Sequence, residues 1–412
     1  MNTLIGNAVV GQSGGPTAAI NATLAGVIRG VLENLHGGGI RTLLGMRNGI
    51  EGLLEERLVD LGGLFATEDK LKLLELTPAA ALGSCRKKLP DINKDPAFYE
   101  RLLGIFKKYD IRYFFYIGGN DSMDTVAKLS EYTKSHEYAM RIIGIPKTID
   151  NDLVGTDHTP GFGSAAKYIA TTIQEIIRDC AVYTTKAVTI VEIMGRDAGW
   201  LTASSALGRA VNGVGPDLIY LPEHPFSMER FFEDLRRKHK EHPDVVVAVS
   251  EGIRYEDGRY VCEGMSARIV DVFGHTALSG TGKVLEFAVK DELGCKVRSI
   301  ELNLPQRCAA HLASATDIEE AVCVGREAVA AAAGGVARRM MTIERISTNP
   351  YKYKIGHADV TEIANKVKKV NPEFINTEGN NVTDACVEYL LPLIAGEVRP
   401  LFDRGIPVHI II

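Results

Sequence analysis

The chain has 412 residues, 45% hydrophobic and 24% charged, with a formal net charge of −5. That is ample for two or three packed units, and the lack of any lysine- or arginine-rich block argues against nucleic acid or an anionic membrane as a partner. No apolar run reaches the ~18 residues of a transmembrane helix. The N-terminus MNTLIGNAVVGQSGG lacks the basic and apolar regions of a signal peptide, and seven scattered cysteines with no CxxC pair fit free thiols in a reducing cytoplasm.

Ala8 to Gly11 reads as a short strand running into a tight loop, Gln12-Ser13-Gly14-Gly15-Pro16-Thr17, and then a helix from about Ala18 to Leu35. Strand, glycine loop and helix start form a phosphate cradle by geometry, although the loop is neither GxGxxG nor a P-loop. His36 to Gly39 is expected as a loop, Arg41 to Met46 as a strand, and Asn48-Gly49 as a turn. Gly83-Ser84-Cys85-Arg86-Lys87-Lys88 is a basic turn, and Pro96 to Tyr109 has helical amphipathicity.

Two apolar runs follow. Tyr113 to Ile117 ends in Gly118-Gly119 and polar Asn120-Asp121-Ser122. After a helical segment from Met123 to Ser135, Ile142 to Ile145 ends in Pro146-Lys147-Thr148-Ile149-Asp150-Asn151-Asp152. This is a βαβ unit, so the strands are parallel and both loops lie at the carboxyl edge, where open sheets bind ligands. The chemistry suggested is phosphoryl transfer. Paired glycines let backbone N–H groups approach a phosphate, and Lys147 adds a point charge. Asp150 and Asp152, spaced i, i+2, face the same way if the loop is extended. One can take a hydroxyl proton while the other steadies a metal ion or a neighbouring group.

Thr159 to Ser164 is expected to cap a helix from Ala165 to Val182, with Ser164 as N-cap. A strand from Ala187 to Ile193 ends in Met194-Gly195-Arg196-Asp197-Ala198-Gly199, where a guanidinium fork suits a phosphate. Asp217 to Leu221 reads as a strand, Met228 to His239 as a charged helix, and Val245 to Val249 as a buried strand ending in Ser250-Glu251-Gly252. Gly280-Thr281-Gly282-Lys283-Val284 imitates a P-loop, but Ala277 and Val284 stand where its first glycine and its hydroxyl belong. Lys296 to Leu304 is a strand carrying Arg298. Ile318 to Ala332 is a helix, Arg338 to Ile343 a strand, and helices are expected near Val360 to Val370 and Val382 to Leu393. Alternation of strands and helices favours α/β layers.

The strings GGNDS, PKTIDND and MGR-x-x-G resemble the phosphofructokinase superfamily, specifically its pyrophosphate-dependent branch, over about Asn7 to Arg307. The resemblance implies two doubly wound, Rossmann-like α/β layers with the active site in the cleft between them. It implies a donor domain over 1–160, a sugar-phosphate domain over 161–305, and a segment 306–412 that returns to the first domain with a helical extension. The implied reaction is Mg²⁺-dependent transfer from pyrophosphate to the 1-hydroxyl of fructose 6-phosphate, giving fructose 1,6-bisphosphate and orthophosphate, a step of glycolysis. Gly14, Arg86 and Lys147 would hold the donor, and Asp150 would be the base, oriented by Thr148 and Asp152. Met194, Gly195, Arg196, Glu251 and Arg307 would hold the sugar phosphate, together with Arg298 and Lys186 from a neighbouring subunit. Leu304 replaces the usual histidine or tyrosine, which leaves room for another sugar phosphate such as sedoheptulose 7-phosphate. The cross-subunit arginine implies a homodimer or homotetramer.

The ATP-dependent relatives carry glycine where Asp121 stands and commonly where Lys147 stands. A carboxylate ~4 Å from a nucleotide's α-phosphate costs ~4 kcal/mol at an effective dielectric of ~20. Asp121 therefore disfavours ATP while Lys147 stabilises the departing phosphate. Asn120 occupies the position of the family's metal-binding aspartate, so Mg²⁺ falls to Asn120 or to Asp121. An ATP-dependent phosphofructokinase and a non-catalytic regulatory subunit of the same fold are the alternative readings.

Overall fold

A computed structural model describes residues 4–34, 39–263 and 280–412. Its main strands in chain order are β1 (Gly6–Gln12), β2 (Ile40–Met46), β3 (Leu58–Asp60), β4 (Ile111–Gly118), β5 (Arg141–Pro146), β6 (Ala187–Ile193), β7 (Leu218–Tyr220), β8 (Asp244–Ser250), β9 (Lys296–Glu301), β10 (Arg339–Thr348) and β11 (Tyr351–Asp359). Alternate side chains of the first-layer strands enter two different cores. Val10, Phe115 and Ile143 face one, with Leu24 and Val27. Val9, Phe114 and Ile142 face the other, with Tyr99, Leu102 and Met123. A strand buried on both faces must be covered by helices on both sides, which is the doubly wound arrangement.

Seven strands form the first sheet in the order β11-β10-β5-β4-β1-β2-β3. Its five inner strands are parallel, and β3 and β11 close the edges antiparallel. The second sheet, β7-β8-β6-β9, is parallel throughout. After β9 the chain forms the helix Ala315–Ala333 and rejoins the first sheet as β10 beside β5. This helix lies against the helix Ile20–Asn34 at a separation that only glycine permits. A Cβ on Gly26 would sit 2.1 Å from the Val322 carbonyl oxygen.

Several sequence expectations need correction. The helix after Gly119 begins at Asn120 and not at Met123, so Asn120, Asp121 and Ser122 form its first turn. Asn48-Gly49 opens a short helix, Gly49–Leu54. Ser164 is not an N-cap: the helix runs Phe162–Cys180 after Gly161, and a distant carboxylate does the capping. Asp317 accepts the backbone N–H groups of Gly161 (2.8 Å) and Ser164 (2.9 Å). β10 continues to Thr348 and turns into β11, a hairpin partner absent from the sequence reading. The helix expected at Val360–Val370 is one 3₁₀ turn, Val360–Glu362, followed by an irregular strap over 363–370. The strap cannot coil because its N–H groups are engaged elsewhere: Asn365 with Asn120 Oδ1 (2.9 Å), Lys368 with Asp152 O (2.7 Å), Val370 with Glu223 Oε1 (2.9 Å). Of the loop expected at 36–39, only Gly39 lies among the described residues. No helix among the described residues is long and apolar enough to cross a membrane.

Candidate active site

The carboxyl ends of β1, β4, β5, β6 and β8 open onto one cleft of about 460 Å³, lined from the first sheet by Gly14, Gly15, Asn120, Asp121, Lys147, Thr148, Asp150 and Asp152. Met194, Arg196, Asp197, Glu251 and Arg307 line it from the second layer, and Asn365 and Val367 of the strap complete it.

The glycine loop after β1 is locked to the basic turn after residue 82. Gly14 N donates to Cys85 O (3.1 Å) and Ser84 Oγ donates to Gly14 O (2.6 Å). Beneath it a buried amide pair holds the frame: Gln12 Nε2 donates to Asn21 Oδ1 (2.8 Å), and Gln12 Oε1 accepts from Leu82 N (2.9 Å). Gly14 has φ +76°, and a Cβ there would stand 3.5 Å from Lys147 Nζ. A Cβ on Gly15 would stand 3.4 Å from Arg307 Nη1 and 4.0 Å from Arg86 Nη2. Three cations from three segments therefore meet around two adjacent glycines, the geometry of a polyanion site.

Lys147 is 2% exposed and donates from Nζ to Gly15 O at 2.5 Å. Burial holds its ammonium down to about 8; Asp150 opposes that shift, while Arg307 and Arg86 add to it. Asp121 forms an ion pair with Lys88 at 3.2 Å. Asp121 was singled out from the sequence, whereas its partner Lys88 was read only as part of the basic turn 83–88. Both polar atoms of the Asn120 amide are engaged by the strap at the cleft's rim. Its Oδ1 accepts Asn365 N (2.9 Å) and its Nδ2 donates to Lys366 O (2.6 Å), so it clamps the strap.

In the loop after β5, Asp150 N donates to Thr148 Oγ1 (3.1 Å) and Thr148 O accepts Thr159 Oγ1 (2.8 Å). The loop is not extended as the i, i+2 argument assumed. Asn151, fully buried, has φ +53°, yet Asp150 and Asp152 both line the cleft. Burial raises the Asp150 carboxyl against the pull of Lys147 and Arg196. Burial and the neighbouring Asp150 push Asp152 up to about 7. Glu251 is pushed up to about 8 by burial and Asp150, although Gly195 N donates to its Oε1 at 3.3 Å. Arg196 Nε is buried with no partner among the described residues, as expected of a donor meant for an anion.

Lys186, Arg298 and Leu304 are not brought to this cleft. Lys186 precedes β6 and Arg298 lies near the amino end of β9, so both are exposed at the opposite end of the second sheet. Leu304 is 51% exposed.

The family model for phosphofructokinase matches residues 7–332. The chain is 42% identical over 407 residues to the pyrophosphate–fructose 6-phosphate 1-phosphotransferase of Methylococcus capsulatus, covering 98% of this chain and 95% of the relative. Crystal structures of pyrophosphate-dependent phosphofructokinases from Nitrosospira multiformis (39% identity, TM-score 0.88) and Marinobacter aquaeolei (40%, TM-score 0.86) each match 98% of this chain and 95% of theirs.

Proposed function

The chain belongs to the phosphofructokinase family, and from that premise we propose that it transfers a phosphoryl group reversibly between pyrophosphate and the 1-hydroxyl of fructose 6-phosphate. The observation that carries this reading is the meeting of Lys147 and Arg86 at Gly14 and Gly15, with Arg307 reaching Gly15 from the sugar side and the Asp121–Lys88 pair beside it. An inorganic diphosphate presents charge to that cluster at both ends. A nucleotide would bring its α-phosphate toward the Asp121 carboxylate, and Lys88 softens that repulsion without removing it. The names carried by the relatives of about 40% identity support the same donor and acceptor.

In this reading Asp150 takes the proton from the sugar's 1-hydroxyl, the freed oxygen attacks phosphorus, and orthophosphate leaves into the cluster of Lys147 and the arginines. A carboxyl raised by burial, against the pull of a lysine and an arginine, is a stronger base than a free one. Arg196, Glu251 and Arg307 hold the sugar phosphate. A divalent cation, Mg²⁺, fits the donor set: no three His, Cys, Asp or Glu side chains among the described residues form a cage, so substrate oxygens would supply most ligands. Asp121, beside Asn120, is the carboxylate placed to hold it, and the ion would neutralise phosphate charge. Residues 1–160 with 306–412 make the donor side and 161–305 the sugar side. The enzyme works as a cytoplasmic homo-oligomer, a reading supported by seven free cysteines and by the displacement of Lys186 and Arg298 from their own cleft.

Initial-rate kinetics with pyrophosphate and ATP against several sugar phosphates test the reading. Turnover is expected with pyrophosphate and fructose 6-phosphate, with kcat/KM for ATP lower by at least two orders of magnitude. Asp121→Gly should raise kcat/KM for ATP about tenfold or more, the scale expected when a like charge near the α-phosphate is removed. A folded D121G enzyme with unchanged ATP use contradicts the repulsion argument.

A further inference from the structure

The strap 363–370 brings one half-buried cation, Lys368, behind the loop that carries Asp150 and Asp152. Lys368 has three N–H donors and three oxygen acceptors within reach: Asp157 O (2.6 Å), Asn151 Oδ1 (3.1 Å) and Thr156 O (3.3 Å). Its own backbone is pinned as well. Lys368 N donates to Asp152 O (2.7 Å), and Lys368 O accepts Trp200 Nε1 (3.0 Å) from the second layer. The ammonium also lies 5.3 Å from the Trp200 ring centroid. Asn151 sits between the two carboxylates with φ +53° and is fully buried. A left-handed asparagine costs backbone energy and persists where its surroundings hold it. Here the side-chain support comes from Lys368.

We infer that Lys368 is a positioning residue for the acid–base loop, fixing the turn at Asn151 and so the relative directions of Asp150 and Asp152. It does not line the cleft. Its charge acts as well as its geometry. The groups facing the carboxylate pair are Lys147, Arg196 and Arg307 from the cleft side, Asp197 and Glu251 across it, and Lys368 from behind, with Asp157 and Arg345 flanking the lysine. Against burial and Asp150, a backbone hydrogen bond and then Lys368 pull Asp152 down. Burial holds Lys368 itself down to about 8, with Asp157 and Asp152 opposing, so its support weakens on the alkaline side.

The inference rests on Asp150 being the base, so Asp150→Asn is measured alongside. Lys368→Met keeps the length of the side chain and removes the charge and donors. The expected result is a kcat at least tenfold lower, KM for pyrophosphate and fructose 6-phosphate within about twofold of the parent, and an acid limb of the kcat profile displaced to higher pH. Asn151→Gly accepts the left-handed turn but cannot bond the lysine. It should lower kcat with unchanged KM, and it keeps the question answerable if K368M does not fold. In the double variant the two losses should not add, since both remove one contact. Parental kcat in folded K368M or in N151G overturns the inference. So does a K368M enzyme with kcat and both KM values degraded together and the pH profile unmoved, which is the mark of a merely structural role. If Asp150→Asn retains parental turnover, the assignment of the base fails instead, which separates the two results.

Discussion

Lys147 is the residue at which charge, burial and donor recognition meet. A buried ammonium binds an anion only while protonated, and this one is held down to about 8. Because kcat/KM reports the free enzyme, it should fall for pyrophosphate as pH rises through about 8, approaching tenfold per unit. The titration of pyrophosphate itself is common to parent and variant. Lys147→Met should therefore lower kcat/KM at neutral pH and lose the part of the alkaline limb that belongs to the lysine. An identical limb in K147M would assign the titration to another group. Residues of this kind were legible because each follows an apolar strand in a string of unusual content: Gly14 after β1, Lys147 and Asp150 after β5, Arg196 after β6, Glu251 after β8. Lys88 against Asp121 and Lys368 against Asn151 were not, because no local pattern records which distant side chain answers a charge.

At the scale of elements, buried parallel strands announced themselves as apolar runs, while ends and caps did not. The helix Phe162–Cys180 shows why. Its first N–H groups are met by Asp317, which stands in the first turn of the helix Ala315–Ala333 and also takes a short hydrogen bond from Ser164 Oγ (2.5 Å). Asp317 is 1% exposed, and burial raises its carboxyl while these donors oppose the rise. One carboxylate thus caps a helix and joins two layers. Asp317→Ala strands buried donors at Gly161 and Ser164, which should cost about 3 kcal/mol. The denaturation midpoint should fall with the slope unchanged. A loss below ~1 kcal/mol would mean that water or a neighbouring group takes over the cap. The strap was misread as a helix for a related reason. Its N–H groups bond to Asn120, Asp152 and Glu223, and a periodicity reading detects only a segment's own pattern.

At the scale of the whole molecule, the cleft of one chain holds Arg196 and Arg307, the proposed anchors of the sugar phosphate, while Arg298 is exposed on β9, the edge strand of the second sheet. Exposed Tyr183 (55%) accompanies that end of the layer, and the Lys296 ammonium lies 5.5 Å from its ring centroid. If Arg298 reaches the sugar phosphate of a neighbouring copy, two inactive chains can repair each other. Arg298→Ala leaves Asp150 intact but deprives the partner's cleft; Asp150→Asn does the reverse. In a hybrid dimer isolated with two different affinity tags, one of the two sites is complete, so activity should return to about half that of the parent dimer. The single-variant homodimers should remain far below that level. Hybrids no more active than their parents would confine Arg298 to its own chain and leave Arg196 and Arg307 as the anchors of the sugar phosphate.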